Sequence, residues 1–307
     1  MLSYILPIFL IIALGVWIKR TPHAPKELFP ALEWFSFYVA FPALLFLRTA
    51  QLHMDARAVQ SLALLVVVPM AAILLLCLIG LRLAHQLPDP ARSSIIQGAT
   101  RPSTYFGLAV AGLVFPDNVA ALIMLTLAIA LPLVNVVAVV ALAWWSGKRV
   151  TARSILRNLV RNPIILATVA GAVYNMTDWP LWGPLTSALE ILGSVALGLG
   201  LVCVGGGLVF RLEGAMPLVT LITNSLKLMA LPGLTLLMCS ALGVDQATQM
   251  AVCFYASLPT APNAYIMARQ MGGDARLMAT MITTQTLLTI VTLPLWMLWL
   301  GVDFSGR

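Results

Sequence analysis

Two short stretches of this chain carry residues that can hold an anion in an apolar setting. Pro102-Ser103-Thr104-Tyr105 reappears 160 residues later as Pro262-Asn263-Ala264-Tyr265, each inside an apolar run of membrane-spanning length. Proline removes an amide donor and displaces the carbonyl one turn earlier, so each motif should break a helix. The second stretch also holds Pro259 and Thr260, and two prolines that close should unwind it outright. A break creates a half-helix N-terminus with free amides and partial positive charge. Ser103 and Asn263 directly follow their prolines, where a polar side chain caps the helix or contacts a ligand. Paired N-termini near a bilayer midplane favour an anion, and the opposing C-termini either hold a cation or are neutralised by Arg101.

Arg101, Glu190 and Lys227 are charged residues deep within apolar runs. A cation in the membrane interior is costly unless it is paired or hydrated. Arg101 therefore either touches a substrate or only neutralises carbonyls at the break. Glu190 lies roughly 13 Å and Lys227 roughly 17 Å from the ends of their spans, at helical rise. At similar depth they form a buried ion pair, or one of them carries a coupling proton. Tyr105 and Tyr265 either line a cavity or are packed with one hydrogen bond each.

The elements that position these residues are membrane spans. The chain has 307 residues, 61% hydrophobic and 9% charged, with mean hydropathy +0.97. Soluble domains carry about 25% charged residues, so this is an all-α polytopic membrane protein. The net charge of +7 sits mostly between apolar runs and reads as a topology signal facing anionic lipid, not as a nucleic-acid surface. The four cysteines have no CxxC spacing and read as buried hydrophobes. His23, His53 and His85 fall in loops, and HExxH and GxSxG are both missing, so neither metal nor serine catalysis is expected. The N-terminal apolar run lacks a positive n-region and reads as a retained span.

Ten spans are expected, at about 2–18, 29–48, 59–82, 93–115, 119–145, 157–175, 181–210, 216–242, 246–271 and 276–301. The polar run 146–156 is a basic linker between five-span halves, 1–145 and 157–307. With the N-terminus outside, thirteen Lys and Arg face the cytosol and three face outward. That asymmetry places both termini outside and the linker in the cytosol. Five spans per half insert the halves in opposite orientation. Pro7 and Gly15 match Pro163 and Gly171, Asp117 matches Asp274, and Pro132 matches Pro294, at offsets of 156 to 162. This is the pattern of two inverted repeats with interrupted spans 4 and 9.

Phe37-Tyr38-Val39-Ala40-Phe41-Pro42-Ala43-Leu44-Leu45-Phe46, the stretch 98–107, and 259–268 followed by Gly272-Gly273-Asp274 resemble the auxin efflux carrier family. The resemblance runs over the whole chain. It implies a fold related to bile acid sodium symporters, with discontinuous helices 4 and 9 crossed. It also implies a scaffold of spans 1, 2, 6 and 7 that commonly dimerises. Spans 3–5 and 8–10 form the moving transport unit, shifting like an elevator. Pro102, Pro259 and Pro262 match the crossover prolines and Asn263 the polar residue of span 9. The family usually has asparagine where this chain has Ser103, which lacks amide donors. The expected function is secondary transport of small organic anions across the cytoplasmic membrane, efflux in type, with H+ or Na+ as possible coupling ion and no other cofactor. The substrate would meet Arg101, Pro102, Ser103, Thr104, Tyr105, Pro259, Thr260, Pro262, Asn263 and Tyr265, with Glu190 and Lys227 as coupling candidates. The alternatives are a sodium symporter of amphipathic acids and a receptor that retains the carrier fold.

Overall fold

The computed structural model describes residues 2–51, 56–146, 160–177, 179–208 and 216–301. Twelve helices occur among them: α1 (Leu2–Arg20), α2 (Leu28–Ala50), α3 (Ala56–Leu83), α4 (Asp89–Thr100), α5 (Thr104–Val114), α6 (Asp117–Ser146), α7 (Pro163–Asn175), α8 (Gly183–Gly206), α9 (Pro217–Leu242), α10 (Gln246–Ala256), α11 (Asn263–Met271) and α12 (Ala275–Trp299). Six of them, α2, α3, α6, α8, α9 and α12, are long and apolar enough to cross a membrane, while α5 and α7 are shorter apolar helices. The protein is all-helical and polytopic. The helices fall where spans are expected, and the stretches 93–115 and 246–271 each divide in two, into α4 with α5 and α10 with α11. Apart from Ser146, the basic linker lies outside the described residues.

Proline and capping chemistry explain the irregular points. Single π-helical turns at Ser36–Ala40 in α2 and Leu226–Ala230 in α9 come just before Pro42 and Pro232. The wider turn relieves the clash of each proline ring with the carbonyl four residues back. Asn162 starts α7 by accepting from the backbone N–H of Ile164 and Ile165. Asp245 caps α10 through Thr248 and Asp274 caps α12 through Leu277. Gly272 ends α11 at φ +84°, a left-handed position that favours glycine.

Helix packing falls into two groups. In the first, α1 lies on α8, and α2 on α7 and α8. A Cβ on Gly15 would meet the Val202 carbonyl oxygen at 2.2 Å, and one on Gly205 the Ile12 carbonyl oxygen at 2.0 Å. The α1–α8 crossing is thus a backbone-to-backbone contact that only glycine allows. Gly171 of α7 lies as closely against α2, where a Cβ would be 2.6 Å from the Phe46 carbonyl oxygen. In the second group, α6 packs on α4, α5 and α10, and α12 on α4 and α9. The buried core lies mostly here, with Phe106, Ile123, Met124 and Phe254 fully enclosed. Contacts of α8 with α5 join the groups, as does an ion pair from Arg48 on α2 to Asp117 at the start of α6, 2.7 Å.

Candidate functional site

The two broken helices complete each other. In an unbroken helix the Gly98 carbonyl would accept from the N–H of residue 102, which is proline and has none. That carbonyl accepts instead from the Thr260 hydroxyl at 2.8 Å and the Gln285 amide at 3.0 Å. Gln285 of α12 also accepts from the Thr260 N–H at 2.9 Å. The Thr260 N–H is thereby drawn away from the Ala256 carbonyl, its partner in a regular helix. Ala256 receives the Lys227 ammonium at 3.5 Å in its place. The Ser103 N–H donates to the Pro259 carbonyl at 2.7 Å, next to an antiparallel bridge between Pro102 and Thr260. These backbone groups therefore find partners where neither water nor a continuing helix supplies them.

Beside this seam lies a cavity of about 350 Å³. Arg101, Pro102, Ser103, Thr104 and Tyr105 line it from one break, and Pro262, Asn263 and Tyr265 from the other. The remaining wall comes from the end of α1, the start of α2 and the end of α8, with Lys19, Phe29, Glu33 and Cys203. Helices α5 and α11 both begin here, and neither has a side-chain cap. The Arg101 side chain is buried, and its Nη1 donates to the Met267 sulfur at 3.0 Å. Among the described residues no carboxylate pairs with Arg101. The Ser103 hydroxyl is also buried, with no hydrogen-bond partner among the described residues. Tyr105 stacks on Phe41 of α2, ring centres 5.1 Å apart.

Not every expected residue reaches the cavity. Pro259 and Thr260 belong to the seam; Thr260 is fully enclosed, its hydrogen bonds all to protein. Glu190 and Lys227 do not pair. Equal depth says nothing about the direction a side chain takes around its helix: Glu190 is exposed on α8, while Lys227 is fully buried in the π-helical turn of α9 against α10. Three residues of the site were missed. Gln285 shows in the sequence only as one amide in an apolar span. Lys19 and Glu33 were not singled out there, yet they line the cavity, with the Lys19 ammonium 5.0 Å from the centre of the Phe29 ring.

A seam of broken helices thus lies beside a cavity that holds Arg101, Lys19 and Glu33. The family model described as membrane transport protein matches residues 148–297. The chain is also 28% identical over 297 residues, 94% of its length, to a Rhizobium meliloti (strain 1021) protein named "Putative malonate transporter", of which the match covers 92%. With its membrane-spanning helices, the chain is a multi-pass membrane transporter and not an enzyme.

Proposed function

We propose that this transporter is a secondary carrier of small organic anions, with a dicarboxylate of malonate size as the leading substrate. The carrying observation is Arg101, a buried guanidinium without a carboxylate partner, at a cavity onto which two uncapped half-helix N-termini open. A substrate carboxylate accepts from Arg101, from the Ser103 hydroxyl and from the first amides of α5 and α11. The name of the Rhizobium relative fits this chemistry. A volume of about 350 Å³ is at the small end for ligand pockets, which disfavours bulky amphipathic acids.

The proposed architecture is ten spans in two inverted repeats whose interrupted spans, α4–α5 and α10–α11, cross at the seam. Gly15 and Gly171, at matching places in the two halves, each sit at a close helix contact, α1 on α8 and α7 on α2. That exchange of partners is what a two-fold relation between repeats produces. Helices α1, α2, α7 and α8 act as scaffold, the others as the unit that slides past it. Both termini face outward and the basic linker faces the cytosol. Glu190, acidic and exposed on an apolar span, calls for cover other than lipid, which supports a homodimer. Lys227 places its side-chain nitrogen at the C-terminal end of α10, the place a coupling cation would take, so transport is expected to be independent of sodium.

Proteoliposomes containing the purified protein test this reading. Saturable uptake of malonate, unchanged when choline replaces sodium, supports it. Malonate that binds without flux indicates a receptor. If no small mono- or dicarboxylate either crosses or stabilises the protein, the assignment fails.

A further inference from the structure

Away from the seam, a second and larger cavity of about 740 Å³ runs between α3 and α6. Its length is apolar, walled by residues such as Leu74, Leu78, Val137 and Val140. One end differs in chemistry. Arg82, His85 and Arg92 meet there with Trp144 and Trp145, at the last turns of both α3 and α6. Tryptophan pairs of this kind sit at the headgroup level of a bilayer, which fixes this end as the interfacial one.

The basic groups at that end are not equivalent. Arg92 holds the loop between α3 and α4, donating to the Leu87 carbonyl at 2.9 Å and the His85 carbonyl at 3.1 Å, with Asp89 at 3.8 Å. Arg82 is exposed and has no hydrogen bond or ion pair among the described residues. An apolar groove with a basic, tryptophan-flanked mouth complements one occupant: a lipid with a negatively charged head and straight tails.

We propose that the α3–α6 groove is a binding site for an anionic phospholipid, its phosphate held by Arg82 and His85 and its acyl chains lying between the two helices. Neither Arg82 nor Val140 touches the transport cavity, so the lipid site is separable from the solute path.

Thermal unfolding of the detergent-purified protein with added phosphatidylglycerol or phosphatidylcholine of the same acyl chains tests the site. Phosphatidylglycerol is expected to raise the midpoint more than phosphatidylcholine does. Arg82→Glu removes that difference without changing the midpoint in lipid-free detergent, and Val140→Trp, which fills the groove, removes it as well. Equal shifts from the two lipids, or a phosphatidylglycerol effect that survives both variants, overturn the proposal. A shift produced by glycerol phosphate alone overturns it too, because the groove would then hold a soluble anion.

Discussion

Keeping Arg101 charged in the membrane interior costs on the order of 3 kcal/mol or more, and a thioether sulfur is a weak partner for a guanidinium. Under the proposed function an arriving carboxylate would recover part of that cost, so that a single residue would make binding selective for anions. A charge-assisted hydrogen bond contributes about 1.5–3 kcal/mol, so Arg101→Ala should weaken malonate binding roughly tenfold to hundredfold. Arg101→Lys should restore charge but not the planar fork, and recover only part of the affinity. Concentration-dependent thermal shifts on both variants measure this; an unaltered response in Arg101→Ala removes the arginine from the site. Ser103 sits beside Arg101 with a free hydroxyl. Ser103→Asn adds two amide donors and should change the ranking among mono- and dicarboxylates, read by competition in uptake. Arg101 and Ser103 stood out in the sequence because a cation and a hydroxyl next to proline are rare in an apolar run, although neutralising freed carbonyls would account for the arginine as well. Gln285 had no such flag, since its task depends on a carbonyl 187 residues away.

At the level of elements, the breaks in α4–α5 and α10–α11 were legible because proline acts locally, through its missing donor and its ring. Their mutual repair was not, because it is long-range. Gln285→Leu leaves the Thr260 N–H and one of the two bonds to the Gly98 carbonyl unmade, at about 1–3 kcal/mol for each buried group left unsatisfied. The variant should unfold at lower temperature than wild type, and Gln285→Glu, which can accept but not donate once ionised, should rescue at most half of the loss. The cap of α10 gives a pH-dependent counterpart. Burial alone would raise the Asp245 carboxyl, but hydrogen bonds from the Thr248 hydroxyl and N–H outweigh it and hold it below its ordinary value. A depressed folded value stabilises above the unfolded pKa and loses that contribution as pH falls through the folded one. Asp245→Ala should therefore cost about 1 kcal/mol at neutral pH, and the gap to wild type should close below about pH 4. A gap of constant size across that range would show that the carboxylate charge plays no part. The Glu190–Lys227 pair failed for a reason specific to helices: counting residues gives depth along the axis and leaves rotation about it open.

For the whole molecule, the proposed alternating access would require the two packing groups to slide, and Arg48–Asp117 ties them together at one end of α2 and α6. An exposed pair of this kind stabilises by less than about 1 kcal/mol, weak enough to break in each cycle. Replacing both residues by cysteine and bridging them with a short bifunctional maleimide should stop uptake, while either single cysteine leaves it intact. The four native cysteines are buried and give little background. Uptake that continues after bridging would mean that the groups do not move at this contact. Gly15 and Gly171 were visible beforehand only as matching positions of a repeat; that each sits at a close helix contact was not, because the contact depends on a partner helix far away in the chain. Lys19 and Glu33 went unremarked in the sequence, since their place on the cavity wall depends on how α1 and α2 lie against α8.

The seam also bears on biogenesis. The Gly98 carbonyl is left without a donor as soon as Pro102 emerges from the ribosome, yet its partners Thr260 and Gln285 are synthesised 162 and 187 residues later. Until then the nascent first half holds an exposed peptide group in hydrocarbon, a condition that insertion machinery or a neighbouring helix must tolerate. Residues 1–145 expressed alone should be degraded rapidly, and co-expression of residues 146–307 should rescue them.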